Sequence, residues 1–495
     1  MTSDLFTDYQ HGGFFDEVFD PKGEIRPHYA PLIERLRALP SEELLHRARL
    51  RDTILRNLGI TFAVYGEAQG IERTWPLDLI PRIIPADEWR HVERGLVQRV
   101  RALNCFLEDL YLGERAALRE GVIPTWLVQS SAGFCREAYG IPVPHGAHCL
   151  VAGIDVVRDG RGVYRVLEDN LRTPSGVSYV LENRATLTRV LPLVFAQHRV
   201  RPVNHYGASL LSALRHLAPP SASDPPCVVV LTPGIYNSAY FEHAFLARQM
   251  GIELVEGRDL VVDDHIVFMR TTRGLSRVDV IYRRVDDEFL DPAVFRSDSV
   301  LGVPGLLGAA RAGNVSLANA IGNGVADDKA IYAYVPALVR FYLGEEPILP
   351  NVDTYLLWEA EQRAAALSRL HELVVKPVDA SGGYGIVIGP KATEEELAAV
   401  RKAIEAKPRG YIAQEVVALS RHPTLVDETP RGGGRIEGRH IDLRPFVLTG
   451  EKIEVLPGGL TRVALRKDSL VVNSSQGGGS KDTWVLAADG NGAPV

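Results

Sequence analysis

Cysteine is scarce in this chain. Cys105, Cys135, Cys149 and Cys227 are the only four in 495 residues, and no two form a C-x-x-C pair. That spacing argues against a cysteine-built zinc site and suits a reducing compartment, with the four as small buried apolar groups. The 14 histidines supply no H-x-x-x-H or H-E-x-x-H arrangement, and G-x-S-x-G is missing, so zinc-hydrolase and serine-hydrolase readings lose ground. There is no G-x-x-x-x-G-K-[ST], which leaves a P-loop nucleotidase unsupported. No long Lys/Arg run occurs and the net charge is -7, against nonspecific nucleic-acid binding. No apolar run approaches the roughly 20 residues that span a bilayer. The first thirty residues mix Asp, His, Gly and aromatics and lack the pattern of a signal peptide. The expectation is a cytoplasmic protein with neither membrane nor nucleic acid as partner.

What is present is ordinary in bulk, with 46% apolar and 24% charged residues, and long enough for two to four subdomains. Residues 1–145 read as a mostly helical region in which nothing looks catalytic. Within 146–225, β-rich stretches at 149–158 and 163–169 flank Asp159-Gly160-Arg161-Gly162, a tight-turn sequence, and a helix follows. After Pro225-Pro226 the grammar changes. Over 226–325 an apolar run, a helix and strands at 252–255, 265–270 and 278–283 suggest a small parallel, Rossmann-like α/β unit. Residues 326–435 give a helix at 328–343, a strand, a glycine-rich loop, a helix at 393–405 and a strand at 411–417. Residues 436–495 read as antiparallel strands with a polar tail. The fold class is α/β, in a mixed α+β arrangement.

Three places can carry chemistry. In Lys376-Pro377-Val378-Asp379-Ala380-Ser381-Gly382-Gly383-Tyr384-Gly385 a strand delivers a lysine into a loop of glycines. Backbone N–H groups and a mobile ammonium together suit a polyphosphate; a hairpin that simply needs glycines has the same appearance. In the hairpin, if Arg158 faces Val163, Asp155 faces Val166. Alternation then puts Asp155, Glu168 and Asn170 on one face and Asp169 on the other. Oxygen ligands so grouped suit Mg²⁺; the alternative is a solvated edge, although all three are poor strand formers. Among basic residues, Arg283 and Arg284 end an apolar strand, where they can clamp a carboxylate or join a surface Arg–Asp network. Lys329 follows Asp327-Asp328 at a helix start, and Arg444 lies on a late strand. A second glycine-rich loop, 473–482, ends in a basic residue.

Taken together, these segments resemble the circularly permuted ATP-grasp family (type 2) and, more loosely, glutathionylspermidine synthase. The resemblance rests on G-I-D-V-V at 153–157, L-E-D-N-L-R-T-P-S-G-V at 167–177, Y-R-R-V-D-D at 282–287 and Asp327-Asp328-Lys329. It continues through the loop after Lys376, I-D-L-R-P-F and V-V-N-S-S-Q-G-G-G-S-K-D, and covers roughly 60–486. The order is diagnostic, with the metal-binding strands ahead of the phosphate lysines. The resemblance implies Mg²⁺ on Asp155, Glu168 and Asn170, and ATP phosphates on Lys329 and Lys376. It implies closure by Ser381, Gly382, Gly383 and Gly385, and adenine at Gln414, Glu415 and Val417. It also implies a carboxylate–amine ligase working through an acyl phosphate, with Arg283, Arg284 and Arg444 on the carboxylate and oxyanion. A phosphotransferase and a noncatalytic nucleotide-binding partner protein are the alternatives. By family association, an α-helical companion and a transglutaminase-like protein are expected partners. One position departs from the pattern. The synthase has an arginine two residues before the first metal aspartate, and Gly153 stands here, so Arg172 or Arg444 must take that role, or the substrate differs.

Overall fold

The computed structural model describes residues 5–6, 9–10, 12–63, 72–380, 384–426, 434–465, 469, 472 and 478–488. Its longest helix, Ala86–Tyr111, starts behind Pro85 with Asp87 and Glu88 in the first turn, where the helix dipole favours acids. Trp89, Val92, Leu96, Val100, Leu103, Leu107 and Leu110 repeat at helical spacing and are buried. They pack the helix against Val335–Leu343 and the central sheet. The expected helical character of 1–145 is joined by short strands. One of them, Arg82–Ile84, pairs in parallel with Thr483–Val485 near the other end of the chain.

The central antiparallel sheet has the order Ile453–Val455, Phe446–Thr449, Val151–Arg158, Tyr164–Asn170. Its hairpin departs from the expected register. Arg158 faces Tyr164, and Asp155 faces Glu168 rather than Val166. Leu167 is the extra residue of a β-bulge, because Val156 pairs with Val166 while Asp155 pairs with Glu168. The bulge lets two demands coexist on one strand: Val166 turns into the core beside Ile154 and Val156, while Glu168 and Asn170 stay on the face of Asp155.

The α/β unit is a four-stranded parallel sheet, Ser316–Ala318, Val280–Arg283, Val228–Leu231, Glu253–Val255. Val228–Leu231 is buried at every position, as a strand covered on both faces must be. The strand expected at 265–270 does not join it. Ile266–Thr271 lies instead in a separate antiparallel sheet with Leu260–Asp263 and Gly274–Arg277. The expected helix at 328–343 is two, Lys329–Tyr332 and Val335–Leu343.

A further sheet, called the lid sheet below, is antiparallel, in the order Thr354–Leu356, Tyr411–Glu415, Leu373–Pro377, Val387–Ile388. Alternation gives it two different faces. Leu373, Val375 and Ala413 pack on helices Ala360–Ser368 and Glu394–Ala406, the latter opened by a Thr393/Glu396 capping box. Val374, Lys376, Ile412 and Gln414 form the opposite face.

Candidate active site

The site is assembled from four pieces of chain. The hairpin supplies Asp155, Glu168 and Asn170. Helix Lys329–Tyr332 begins with an Asp328 cap on the Ala330 N–H and directs Lys329 toward Glu168, 3.6 Å away. The lid strand brings Lys376 to the same place, where Glu168 and Lys329 both act on its charge. Residues 131–133 line a pocket there, together with Glu168, Asn170, Arg172, Asp327, Lys329 and Val378–Ala380. The last contribution was not legible in the helical region. Gly133 makes it possible, since a Cβ there would lie 2.2 Å from the Gly324 carbonyl carbon.

Charge is concentrated here. The Lys329 ammonium also donates to the Ala380 carbonyl at 2.7 Å, tying helix to flap. Lys376 is 6% exposed, and among the described residues no hydrogen bond or ion pair holds its ammonium. Burial therefore pushes its pKa down to about 8, with Lys329 adding to the fall and Glu168 opposing it. Asp155 is fully buried. Burial alone would raise its pKa, but Arg444 and Arg462 outweigh that and hold the carboxyl well below the usual range. Asp169, on the other face as expected, takes a bidentate pair from Arg99 at 2.6 and 2.7 Å. Arg172 donates to Asp327 at 2.9 Å.

The residues present fit a nucleotide and a hard cation. Among the described residues no three His, Cys, Asp or Glu side chains form a metal cluster, so the hairpin offers two carboxylates and a carboxamide. The Asn170 amide nitrogen is buried without a hydrogen-bond partner; with the amide turned over, that position presents an oxygen. Gln414 leaves its amide oxygen similarly unpaired on the Lys376 face of the lid, and Val417 packs near Val157 and Leu167 of the hairpin.

Other expected residues are placed differently. Arg283 is 1% exposed and donates to the Asn319, Val285 and Ala320 carbonyls and to Asp287. Arg284 holds Thr173, Pro174, Ser175 and Tyr282. The Arg283 contacts stay within the α/β unit, whereas Arg284 ties that unit to the 173–175 loop, with its Nε buried and without a hydrogen-bond partner. The Glu415 side chain lies on the helix face, bonded to Tyr355 and Arg369, which leaves only its backbone for a hinge role. Lys481, the basic end of the second glycine-rich loop, is buried on Asp78. Ser381, Gly382 and Gly383 lie outside the described residues, as do residues 473–477; Gly385 is described, with φ +71. Arg444 does reach the site, pairing with Asp155, and its stem fills the space over Gly153. Arg462, which nothing in its strand sequence singled out, joins it on Asp155.

A carboxylate hairpin that precedes two converging lysines in sequence, with a separate lid sheet, defines the class as ATP-grasp in permuted order. The family model for circularly permuted ATP-grasp type 2 matches residues 81–464, and this chain belongs to that family. An uncharacterized Synechocystis protein is 56% identical over 97% of this chain and 98% of its own length. An uncharacterized Mycobacterium tuberculosis protein is 56% identical over 96% of this chain and 84% of its length. A Frankia alni protein named "Putative glutamate--cysteine ligase 2-3" is 47% identical over 97% of this chain, which spans 54% of that longer protein. A solved glutathione synthetase-like effector from Globodera pallida shares the fold, with TM-score 0.56 and 12% identity over 90% of this chain and 98% of that one. Among the described residues no helix is long and apolar enough to cross a membrane.

Proposed function

We propose that this protein is an ATP-dependent ligase that joins a carboxylate to an amine through an acyl phosphate. The observation that carries the reading is the convergence of Lys329 and Lys376, from a helix and from the lid, on the Glu168 face of the hairpin. That is a cradle for a polyphosphate, with Asp155, Glu168 and Asn170 as the oxygen donors for Mg²⁺. Mg²⁺ bound there would neutralise phosphate charge. A substrate carboxylate oxygen attacks the γ-phosphorus, the bond to the β-phosphate bridging oxygen breaks, and ADP leaves. Lys329 and Lys376 balance the charge on the transferring group. The neutral amine then attacks the acyl carbon, one of its N–H protons passes to solvent as the C–N bond forms, and phosphate leaves with the carboxyl oxygen. A guanidinium beside the hairpin, Arg444, is the group placed to hold the reacting carboxylate. The ligase name of the Frankia relative is in keeping with this chemistry.

Incubation with ATP, hydroxylamine and a panel of amino acids and dicarboxylic acids tests the reading. A hydroxamate formed in step with ADP is expected for at least one acid. Lys376→Ala and Glu168→Gln should each lower turnover by at least about a hundredfold while the circular dichroism spectrum is unchanged. Phosphorylation of a hydroxyl compound without hydroxamate would assign a phosphotransferase instead.

A further inference from the structure

The carboxylate at the centre of the hairpin already has two cationic partners. Arg444 forks onto Asp155, Nε donating to Oδ1 at 2.5 Å and Nη2 to Oδ2 at 2.8 Å, and Arg462 Nη2 donates to Oδ2 at 2.6 Å. With Glu168 and Asp442 included, three carboxylates face four cations, namely Arg444, Arg462, Lys329 and Lys376. A divalent cation approaching alone therefore meets no net negative charge. A polyphosphate arriving with it reverses that sign.

The two arginines are not equally committed. Arg462 is fixed by Asp442, which accepts from both its Nε and its Nη2. Apart from Asp155, Arg444 has the Ser175 carbonyl at 3.3 Å and Glu168 at 3.9 Å. Its stem lies over Gly153, where a Cβ would be 3.3 Å from its Cδ. Arg444 is thus the exchangeable partner, and the grip it gives Asp155 is the fork a substrate carboxylate needs.

We propose that Arg444 is a counterion shared between Asp155 and an incoming anion. A divalent cation gains Asp155 only together with polyphosphate, and the guanidinium so released turns to the anionic oxygen of the substrate. Metal and substrate carboxylate are thereby coupled through one side chain, and the coupling is reciprocal. The inference rests on the ligase reading of this site.

Equilibrium dialysis of Mn²⁺, with and without a non-hydrolysable ATP analogue, tests it by the metal the protein retains. Wild type should bind Mn²⁺ at least about tenfold more weakly alone than with the analogue. R444M, which leaves Asp155 with Arg462 alone and frees its Oδ1, should bind Mn²⁺ alone at least about tenfold more tightly than wild type, and R444K, charged but without the fork, should fall between. Equal uptake by wild type with and without the analogue, or by folded R444M and wild type alone, overturns the proposal. Should R444M fail to fold, wild type and R444K decide. Calorimetry separates the two readings: an analogue that does not bind at all sinks the ligase reading, whereas one that binds while Mn²⁺ uptake ignores Arg444 sinks only this proposal.

Discussion

Lys376 shows what a buried charge costs at the scale of one residue. Its ammonium is buried with a pKa near 8, whereas an unfolded chain holds it near 10.5. Below about pH 8 both states are charged, and the fold bears the cost of the buried charge, up to about 3 kcal/mol. Between pH 8 and 10.5 the folded lysine releases its proton first, so stability rises with pH across that window. Lys376→Met should therefore raise stability in urea denaturation at pH 7 while abolishing nucleotide binding. A polyphosphate opposes the deprotonation. Nucleotide binding near pH 8 should consequently take up protons, measurable by calorimetry in buffers of different ionisation enthalpy, and affinity should fall as pH rises above 8. Binding without proton uptake would place the phosphates elsewhere.

At the scale of elements, the strand end bearing Arg283 and Arg284 is a joint between subdomains. Arg284 gathers the carbonyls of Thr173 and Pro174 and the Ser175 hydroxyl, and Glu242 takes the Gly176 and Ser178 N–H groups at the start of helix Val177–Val190. The loop so fixed also offers its Ser175 carbonyl to Arg444. Arg284→Met leaves Glu242 buried without its guanidinium and should cost about 3–5 kcal/mol in chemical denaturation. Arg284→Lys should recover little, because one ammonium with three N–H donors cannot serve the four diverging acceptors on Thr173, Pro174, Ser175 and Tyr282. Unchanged stability with a raised KM for the acid substrate would restore the clamp role expected from sequence.

Over the whole molecule, residues 78–84 and 481–485, some four hundred positions apart, are clasped together. Arg82–Ile84 pairs with Thr483–Val485, Arg184 holds Asp482, and Lys481 is buried on Asp78 with the Ile80 and Pro423 carbonyls. Lys481→Met strands the Asp78 carboxylate and should cost about 3–5 kcal/mol. Adding Asp78→Asn should recover part of that loss, since the two positions share one interaction. Strictly additive losses in the double variant would show that the pair does not act as a unit.

Much of the site was legible in the chain itself. Glu168 and Asn170 share a face because side chains alternate along a strand, and the bulge at Leu167 is what puts that face beside Asp155. The bulge at Leu167 escaped because register answers to the core, where Val166 had to turn inward. Arg283 and Arg284 read as site residues because a cation followed by acids looks the same in either role. The partners of Arg284 include the carbonyls of Thr173 and Pro174, more than a hundred residues away, and only packing brings those near. Sequence by itself determined the family, the order of the parts and the chemistry of the hairpin. Which arginine meets Asp155, and which are struts, was decided by tertiary structure, since the partner of a buried charge depends on contacts between residues far apart in the chain.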